Sequence, residues 1–337
     1  MNIAINGFGR IGRATFKAAL LKKEKNLNIV AINDLTDTAT LAHLLQYDSC
    51  YGEFEMEVKS TKDSLVVNGK KYKVFAEKDP SVLPWKALKV DAVIESTGIF
   101  LSKEKADLHL KAGAKKVILS APPKGEGIKT FVMGVNEDKI KKSDAIISNA
   151  SCTTNCLAPV MDVLKKSVGI KKAMMTTTHS YTADQNLVDG PHKDLRRARA
   201  AGVNMVPTTT GAAKSVAETI PTLKGKFDGV AVRVPTPVAS LCDVTFIANK
   251  KVTAEQVNAY FVKAAKTARL KGILEATNEP LVSSDYIGNP ASSIVDLPLT
   301  KVIDGDLVKV VAWYDNEWGY SNRLVDLVLF MGKKKLV

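Results

Sequence analysis

The chain is 337 residues long, enough for about two domains of roughly 150 residues each, and a core of that size needs no metal or disulfide staple. Hydrophobic residues at 45% and charged residues at 25% give the balance of a soluble globular protein. The formal charge of +13 raises a nucleic-acid partner, but the lysines fall in scattered pairs such as Lys22-Lys23 and Lys70-Lys71, so nucleic acid is not expected as the primary partner.

Asn2 to Asn6 opens the chain as a strand, with no basic leader or small-residue cleavage site before it, which makes cytoplasmic residence the expectation. Arg10, Arg13 and Lys17 interrupt the next apolar positions too often for a membrane span. A helix from Arg10 to Lys23 follows, and the junction reads Asn6-Gly7-Phe8-Gly9-Arg10-Ile11-Gly12-Arg13, a G-x-G-x-x-G run. The second strand, Asn28 to Ile32, ends at Asn33-Asp34, about 20 residues past the glycines, where a dinucleotide site needs a ribose-binding carboxylate. Gly7 then permits the tight turn, Gly9 lets the backbone approach a pyrophosphate, and Gly12 brings helix and strand together. Free amides at the helix start would take the phosphates. Asp34 favours NAD over NADP, because a carboxylate hydrogen-bonds two ribose hydroxyls and repels a 2′-phosphate. Two plainer readings stay open: a glycine turn that only packs the helix, and Asp34 as the cap of the turn Asp34-Leu35-Thr36-Asp37.

Further along, a helix is expected from Asp37 to Gln46 and a hairpin from Ser64 to Val74 turning at Asn68-Gly69. Short strands at Ala92 to Glu95, Lys116 to Ser120 and Ala145 to Ser148 alternate with helical stretches such as Lys103 to Ala112. The alternation predicts a Rossmann-type doubly wound parallel sheet. Ligands gather at the carboxyl ends of such strands, so Thr97, Gly98 and Ser120 are nicotinamide-side candidates.

At Ser148-Asn149-Ala150-Ser151-Cys152-Thr153-Thr154-Asn155-Cys156 a strand hands over to a helical pattern through Leu157, Val160, Met161 and Leu164. A cysteine in the first turn of a helix faces free amides, which are expected to stabilise its thiolate and lower its pKa. Cys156, one turn on, reads as a buried small hydrophobe. With Cys50 and Cys242 the chain has four cysteines and no leader, so neither a disulfide framework nor a zinc site is expected, and no metal. Of the four histidines, His43 and His109 sit in helical patterns and His192 in a loop expected to be exposed. His179 ends the strand Lys172 to His179 and is the best-placed base for Cys152, on position alone.

Strands at Gly229 to Pro235, Asp243 to Ala248 and Leu307 to Tyr314, with helices at Gly211 to Thr219 and Ala254 to Ala268, make the second half an α+β catalytic domain with a largely antiparallel sheet. The boundaries expected are 1–150 for the NAD-binding domain, 151–317 for the catalytic domain, and 318–337 for a C-terminal segment whose helix packs back on the first domain.

The runs Asn6 to Arg13, Ser148 to Cys156, His179 to Thr182, Pro207 to Ala213, Arg233 to Pro237 and Trp313 to Tyr320 resemble those of the glyceraldehyde-3-phosphate dehydrogenase family, in order along essentially the whole chain. The resemblance implies NAD-dependent oxidation of glyceraldehyde 3-phosphate with inorganic phosphate, through a thioester on Cys152 with His179 as base. It implies that Thr182 and Arg233 bind the substrate phosphate. Ser151, Thr153, Arg197, Thr210 and Gly211 would surround the attacking phosphate. Arg197 as a solvated loop residue and Thr210 as a helix cap are the alternatives. Arg10, Ile11, Asp34, Ser120 and Asn316 would hold NAD, and Lys78 stands where many relatives carry arginine beside the adenine. A homotetramer is implied, with the loop from about Tyr181 to Val203 at an interface. Erythrose 4-phosphate as the aldehyde, or a secondary nucleic-acid-binding role, are the competing readings.

Overall fold

A computed structural model describes residues 1–337. The chain divides into two compact units, the first made of residues 1–131, 137–150 and 321–337 and the second of residues 132–136 and 151–320.

In the first unit, β1 (Asn2–Asn6) leads through α1 (Arg10–Leu21) to β2 (Asn28–Asn33), which pairs parallel with it. After α2 (Thr38–Gln46) come β3 (Val58–Thr61), β4 (Ser64–Val67) and β5 (Lys70–Phe75), then β6 (Ala92–Glu95), α3 (Lys103–Lys111), β7 (Lys116–Leu119), β8 (Lys129–Thr130) and β9 (Ile146–Ser148). The sheet order is β8-β9-β7-β6-β1-β2-β5-β4-β3. Strands β1 and β6 lie side by side and parallel although far apart in sequence, so the winding reverses between them, the place where such sheets take ligands. Ile3, Ala4 and Ile5 are all fully buried, which a strand covered on both faces requires. At the far edge β3, β4 and β5 pair antiparallel, and the β4–β5 turn has φ of 45° at Asn68 and 79° at Gly69, the mirror-image turn that favours these two residues.

The second unit begins with α4 (Cys152–Ser167) and β10 (Ile170–Ser180). Then follow β11 (Val206–Thr209), α5 (Ala212–Thr219), β12 (Phe227–Val234), β13 (Ser240–Ala248), α6 (Ala254–Ala265), β14 (Leu274–Thr277), β15 (Ser293–Asp296), β16 (Lys301–Ile303) and β17 (Leu307–Tyr314). The sheet runs β11-β12-β10-β13-β17-β15-β14, with β16 on β17. It is mostly antiparallel, but β10 and β12 pair parallel and set His179 beside Arg233 in register. Residues 132–136 join this unit because Arg269 donates to the carbonyls of Gly134 and Val135, each at 2.9 Å. The last helix, α7 (Trp318–Lys333), starts here and runs on into the first unit, where Asp326 pairs with Lys22 at 2.7 Å. No helix is long and apolar enough to cross a membrane.

Besides the two-residue pair Tyr47–Asp48 and Gly52–Glu53, the strands not anticipated from the sequence are β3, β8, β11, β14, β15 and β16. All are four residues or fewer, too short for alternation to be read, and β3 is largely exposed.

Candidate active site

In the first unit the chain leaves β9 through Ala150, a non-glycine residue at φ of 59° whose amide donates to Ser148 Oγ at 2.9 Å. Helix α4 then starts at Cys152. Ser151 caps it, its hydroxyl accepting from the Thr154 amide at 3.1 Å, so the cysteine occupies the first helical position with its free amides around it. His179, at the end of β10, places Nε2 at 3.4 Å from Cys152 Sγ. Its Nδ1 lies 2.6 Å from the Ser180 carbonyl, which can only accept, and 3.2 Å from Arg233 Nη1, which can only donate. The shorter contact favours the ring hydrogen on Nδ1, with the Nε2 lone pair turned to the sulfur.

The pKa shifts run against the expectation from the helix terminus. Burial pushes the Cys152 thiol up to about 11, with Arg233 opposing it. Burial, then the charge of Arg233, pushes His179 down to about 3. Both shifts describe gaining or losing a charge in a dry site. Passing the proton from Sγ to Nε2 leaves the pair net neutral, so neither shift by itself measures that transfer.

Around this pair lie the cations. Arg233, directly across from His179 in the sheet, donates to the Ser180 carbonyl at 3.1 Å and to Thr182 Oγ1 at 3.3 Å. Arg197 pairs with Asp184 at 2.5 Å and donates to Thr208 Oγ1 at 3.0 Å and the Thr209 carbonyl at 3.3 Å, so it is braced rather than loose in solvent. Its charge is felt by both His179 and Arg233. Thr210 Oγ1 accepts from the Ala212 amide at 3.2 Å and so caps α5, with Gly211 at the N-terminal boundary of that helix. Thr153 is buried and shares a hydrogen bond of 2.9 Å with Tyr314. Asn316 is buried, its Oδ1 accepting from Ser180 at 3.0 Å and Ser240 at 2.9 Å.

Sequence reasoning did not single out Tyr314. Its fully buried hydroxyl joins Thr153 to Thr177, each at 2.9 Å, and its ring meets His179 edge-on, with centroids 6.0 Å apart. The available signal was a tyrosine ending an inward-facing strand, where the hydroxyl needs a partner. Asp184 carries no local signal, because its tie to Arg197 exists only once the loop is folded. His192 corrects an expectation: its Nδ1 accepts from the Asp194 amide at 2.9 Å and its side chain is only 13% exposed, since the loop folds over it.

In the first unit a cavity of about 540 Å³ lies at the carboxyl ends of β1, β2 and β6. Gly7, Gly9, Asp34, Lys78 and Thr97 line it, with Asn6, Asn33 and Glu77, whereas Arg10, Ile11, Gly12, Gly98 and Ser120 do not. The Arg10 side chain is turned away onto Asp48 at 3.0 Å, leaving its main chain at the helix start as the part able to meet a phosphate. Asp34 accepts from the Phe8 amide at 2.6 Å and the Thr36 amide at 2.9 Å, so its carboxylate caps the turn that follows β2.

The three glycines separate by what surrounds them. A Cβ on Gly7, at φ of 90°, would come within 2.7 Å of the Thr97 amide, and one on Gly12 within 2.1 Å of the Gly7 carbonyl. Gly9 has an ordinary φ of −70° and nothing within 4 Å of an added Cβ. Packing therefore explains the first two but not the third. A glycine opening onto a cavity at a helix N-terminus fits a ligand whose phosphates approach the main chain.

Residues 1–103 match the family described as glyceraldehyde 3-phosphate dehydrogenase, NAD binding domain, and residues 151–316 match its C-terminal domain. The chain is 57% identical to a glyceraldehyde-3-phosphate dehydrogenase of Geobacillus stearothermophilus over all of this chain and 99% of that one. It is 56% identical to glyceraldehyde-3-phosphate dehydrogenase 1 of Bacillus subtilis over the same shares, and 55% identical to a Streptomyces coelicolor relative over 99% of each.

Proposed function

The chain belongs to the glyceraldehyde-3-phosphate dehydrogenase family, and from that premise we propose that Cys152 and His179 carry its NAD-dependent, phosphorylating oxidation of D-glyceraldehyde 3-phosphate to 1,3-bisphosphoglycerate. The observation that carries the reading is the 3.4 Å approach of His179 Nε2 to Cys152 Sγ at a helix start, with Arg233 and Arg197 alongside.

NAD, when bound, supplies the hydride acceptor. The remaining work falls to this chain. The Cys152 proton passes to His179 as the sulfur bonds the aldehyde carbon, and the imidazole returns it to the new hydroxyl. The same nitrogen then withdraws that hydroxyl proton as the thiohemiacetal is oxidised to a thioester. Inorganic phosphate displaces the sulfur, which recovers its proton from the ring. A thioester suits this sequence because it keeps enough of the oxidation energy to form an acyl phosphate. Arg233 with Thr182 would hold the substrate phosphate. Arg197, with Ser151, Thr153, Thr210 and Gly211, would receive the incoming one, since guanidinium forks and main-chain amides both match phosphate oxygens. Gly7, Gly9, Asp34, Lys78 and Thr97 would hold NAD along the cavity, the main chain of Arg10 and Ile11 its phosphates, and Asn316 the nicotinamide amide. Gly98 and Ser120 remain nicotinamide-side candidates.

A homotetramer is part of this reading. The loop around residues 187–205 exposes Leu187, Leu195 and Val203 by 80% or more, with Met205 close behind, a cost to solubility unless another chain covers them.

The test is NADH formation from glyceraldehyde 3-phosphate with and without inorganic phosphate, using erythrose 4-phosphate as the competing aldehyde. Phosphate-dependent turnover that prefers glyceraldehyde 3-phosphate and vanishes in Cys152→Ser is expected. Turnover in Cys152→Ser, or preference for erythrose 4-phosphate, would overturn it.

A further inference from the structure

Beneath the cavity of the first unit lies a polar cluster that the reaction does not use. Glu95, at the end of β6, is fully buried, and so is His109 on α3. The Trp85 indole N–H donates to His109 Nδ1 at 3.1 Å, so the ring's one hydrogen sits on Nε2, which faces Glu95 Oε2 at 3.1 Å. A second ring hydrogen would meet the indole N–H head on. Glu95 Oε2 also accepts from Asn6 Nδ2 at 2.5 Å, and Oε1 accepts from the Thr97 amide at 2.7 Å and from the Thr97 hydroxyl. The carboxylate thus has four donors, two per oxygen, and no cation among them.

The chain of bonds continues across the cavity floor. Asn6 Oδ1 accepts from Asn33 Nδ2 at 2.7 Å. Asn33 then clasps the main chain of Glu77, donating to its carbonyl and accepting from its amide, both at 2.9 Å. Thr97 lines one side of the cavity and Glu77 the other, with Asn6 and Asn33 between them. These residues lie at the ends of β6, β1, β2 and β5 or just beyond them, four neighbouring strands of the sheet.

From this we infer that Glu95 is a positioning residue for the dinucleotide. Locked in its acceptor role by His109 and Trp85, it fixes Thr97 directly and Glu77 through Asn6 and Asn33, and so presets the separation of the two cavity walls. The inference rests on the reading that this cavity takes NAD. The physical basis is polarity: every link has one possible direction of donation, so the line of bonds has a single arrangement and does not drift between alternatives. A carboxylate is required because only an acceptor at both oxygens can serve four donors at once.

Glu95→Gln keeps the shape and puts an NH2 group where two donors already point, which reverses one half of the line. The expected result is about a tenfold rise in both the dissociation constant and the KM for NAD, with the KM for the aldehyde unchanged. Asn33→Ala cuts the line at its far end without leaving a buried charge, and is expected to raise the same two constants several-fold. Circular dichroism and thermal midpoints establish that each variant is folded. A variant that merely loosened the protein would move both substrates' KM values together, and that result would overturn the inference. Asp34→Ala, in the cavity wall, is the control. If it weakens NAD binding while both relay variants bind normally, the relay is wrong and the cavity reading stands. If none of the three affects NAD, the cavity reading fails and takes the relay with it.

Discussion

A thiol and an imidazole 3.4 Å apart, both buried, behave as one titrating unit. Adding a second proton puts a net positive charge beside Arg233, and the His179 shift places that step at about 3. Removing the proton that lies between Sγ and Nε2 leaves a buried anion, and the Cys152 shift places that step at about 11. In between, base-assisted attack by sulfur should vary little with pH. His179→Asn removes the acceptor, so alkylation by iodoacetamide then needs the lone thiolate. Its rate at pH 7 is expected to fall on the order of 100-fold, the low end of what a positioned base contributes, with the inflection moving toward about 11. An unchanged alkylation profile would remove His179 as the base. Stability follows the same unit. The histidine's folded pKa is depressed from 6.5 to about 3, so the folded chain binds fewer protons than the unfolded chain in that window. Stability is fully present above about 6.5 and is lost as pH falls toward 3, and His179→Asn should flatten that part of the thermal-midpoint profile.

The turn between β1 and α1 shows one element serving both folding and binding. Gly12 faces the Gly7 carbonyl so closely that a methyl cannot fit, whereas Gly9 faces open space. Gly12→Ala is therefore expected to lose folded protein, because backbone meets a new Cβ at 2.1 Å with no flexible atom to give way. Gly9→Ala is expected to fold with stability within about 0.5 kcal/mol of the parent, yet to bind NAD about tenfold more weakly. Calorimetry on both variants, with and without NAD, distinguishes them, and equal NAD affinity in Gly9→Ala would sink its assignment. At this scale the sequence was most readable where a pattern reports a local constraint. β1 and β2 read as strands because they are apolar on both faces, and α3 reads as a helix with Ser102 capping it at the Lys105 amide. The brief strands from β14 to β16 were not readable, since three or four residues take their strand form from the neighbours they pair with. The pKa direction at Cys152 was not readable either. A helix start is visible in the sequence, but the burial that outweighs it is a property of the packed unit.

Over the whole chain, the least legible features join distant positions. Cys152 and His179 could each be chosen from local sequence, but the bracing of Arg197 by Asp184 and Thr208, and the Tyr314 hydroxyl between Thr153 and Thr177, arise only when loops and strands meet. Association between chains is a further step of the same kind, and the exposed side chains give it a testable form. Leu187, Leu195 and Val203 are 84%, 81% and 80% exposed, while Met174 and Val230, on the neighbouring strands β10 and β12, are 62% and 50% exposed. Covering one leucine removes roughly 2 kcal/mol of apolar exposure, so a tetramer that repeats each contact gains that amount in every copy. Light scattering at micromolar concentration is expected to give four times the chain mass. Leu195→Glu replaces the apolar contact with a charge. It should shift the distribution toward smaller species by at least tenfold in dissociation constant, while the isolated chain keeps its fold, because an 81% exposed side chain supports nothing within its own unit. A parent protein that scatters as a single chain would rule out the tetramer. A Leu195→Glu variant that stays fully assembled would instead show that the loop lies outside the interface, leaving the sheet face around Met174 and Val230 to hold the subunits together.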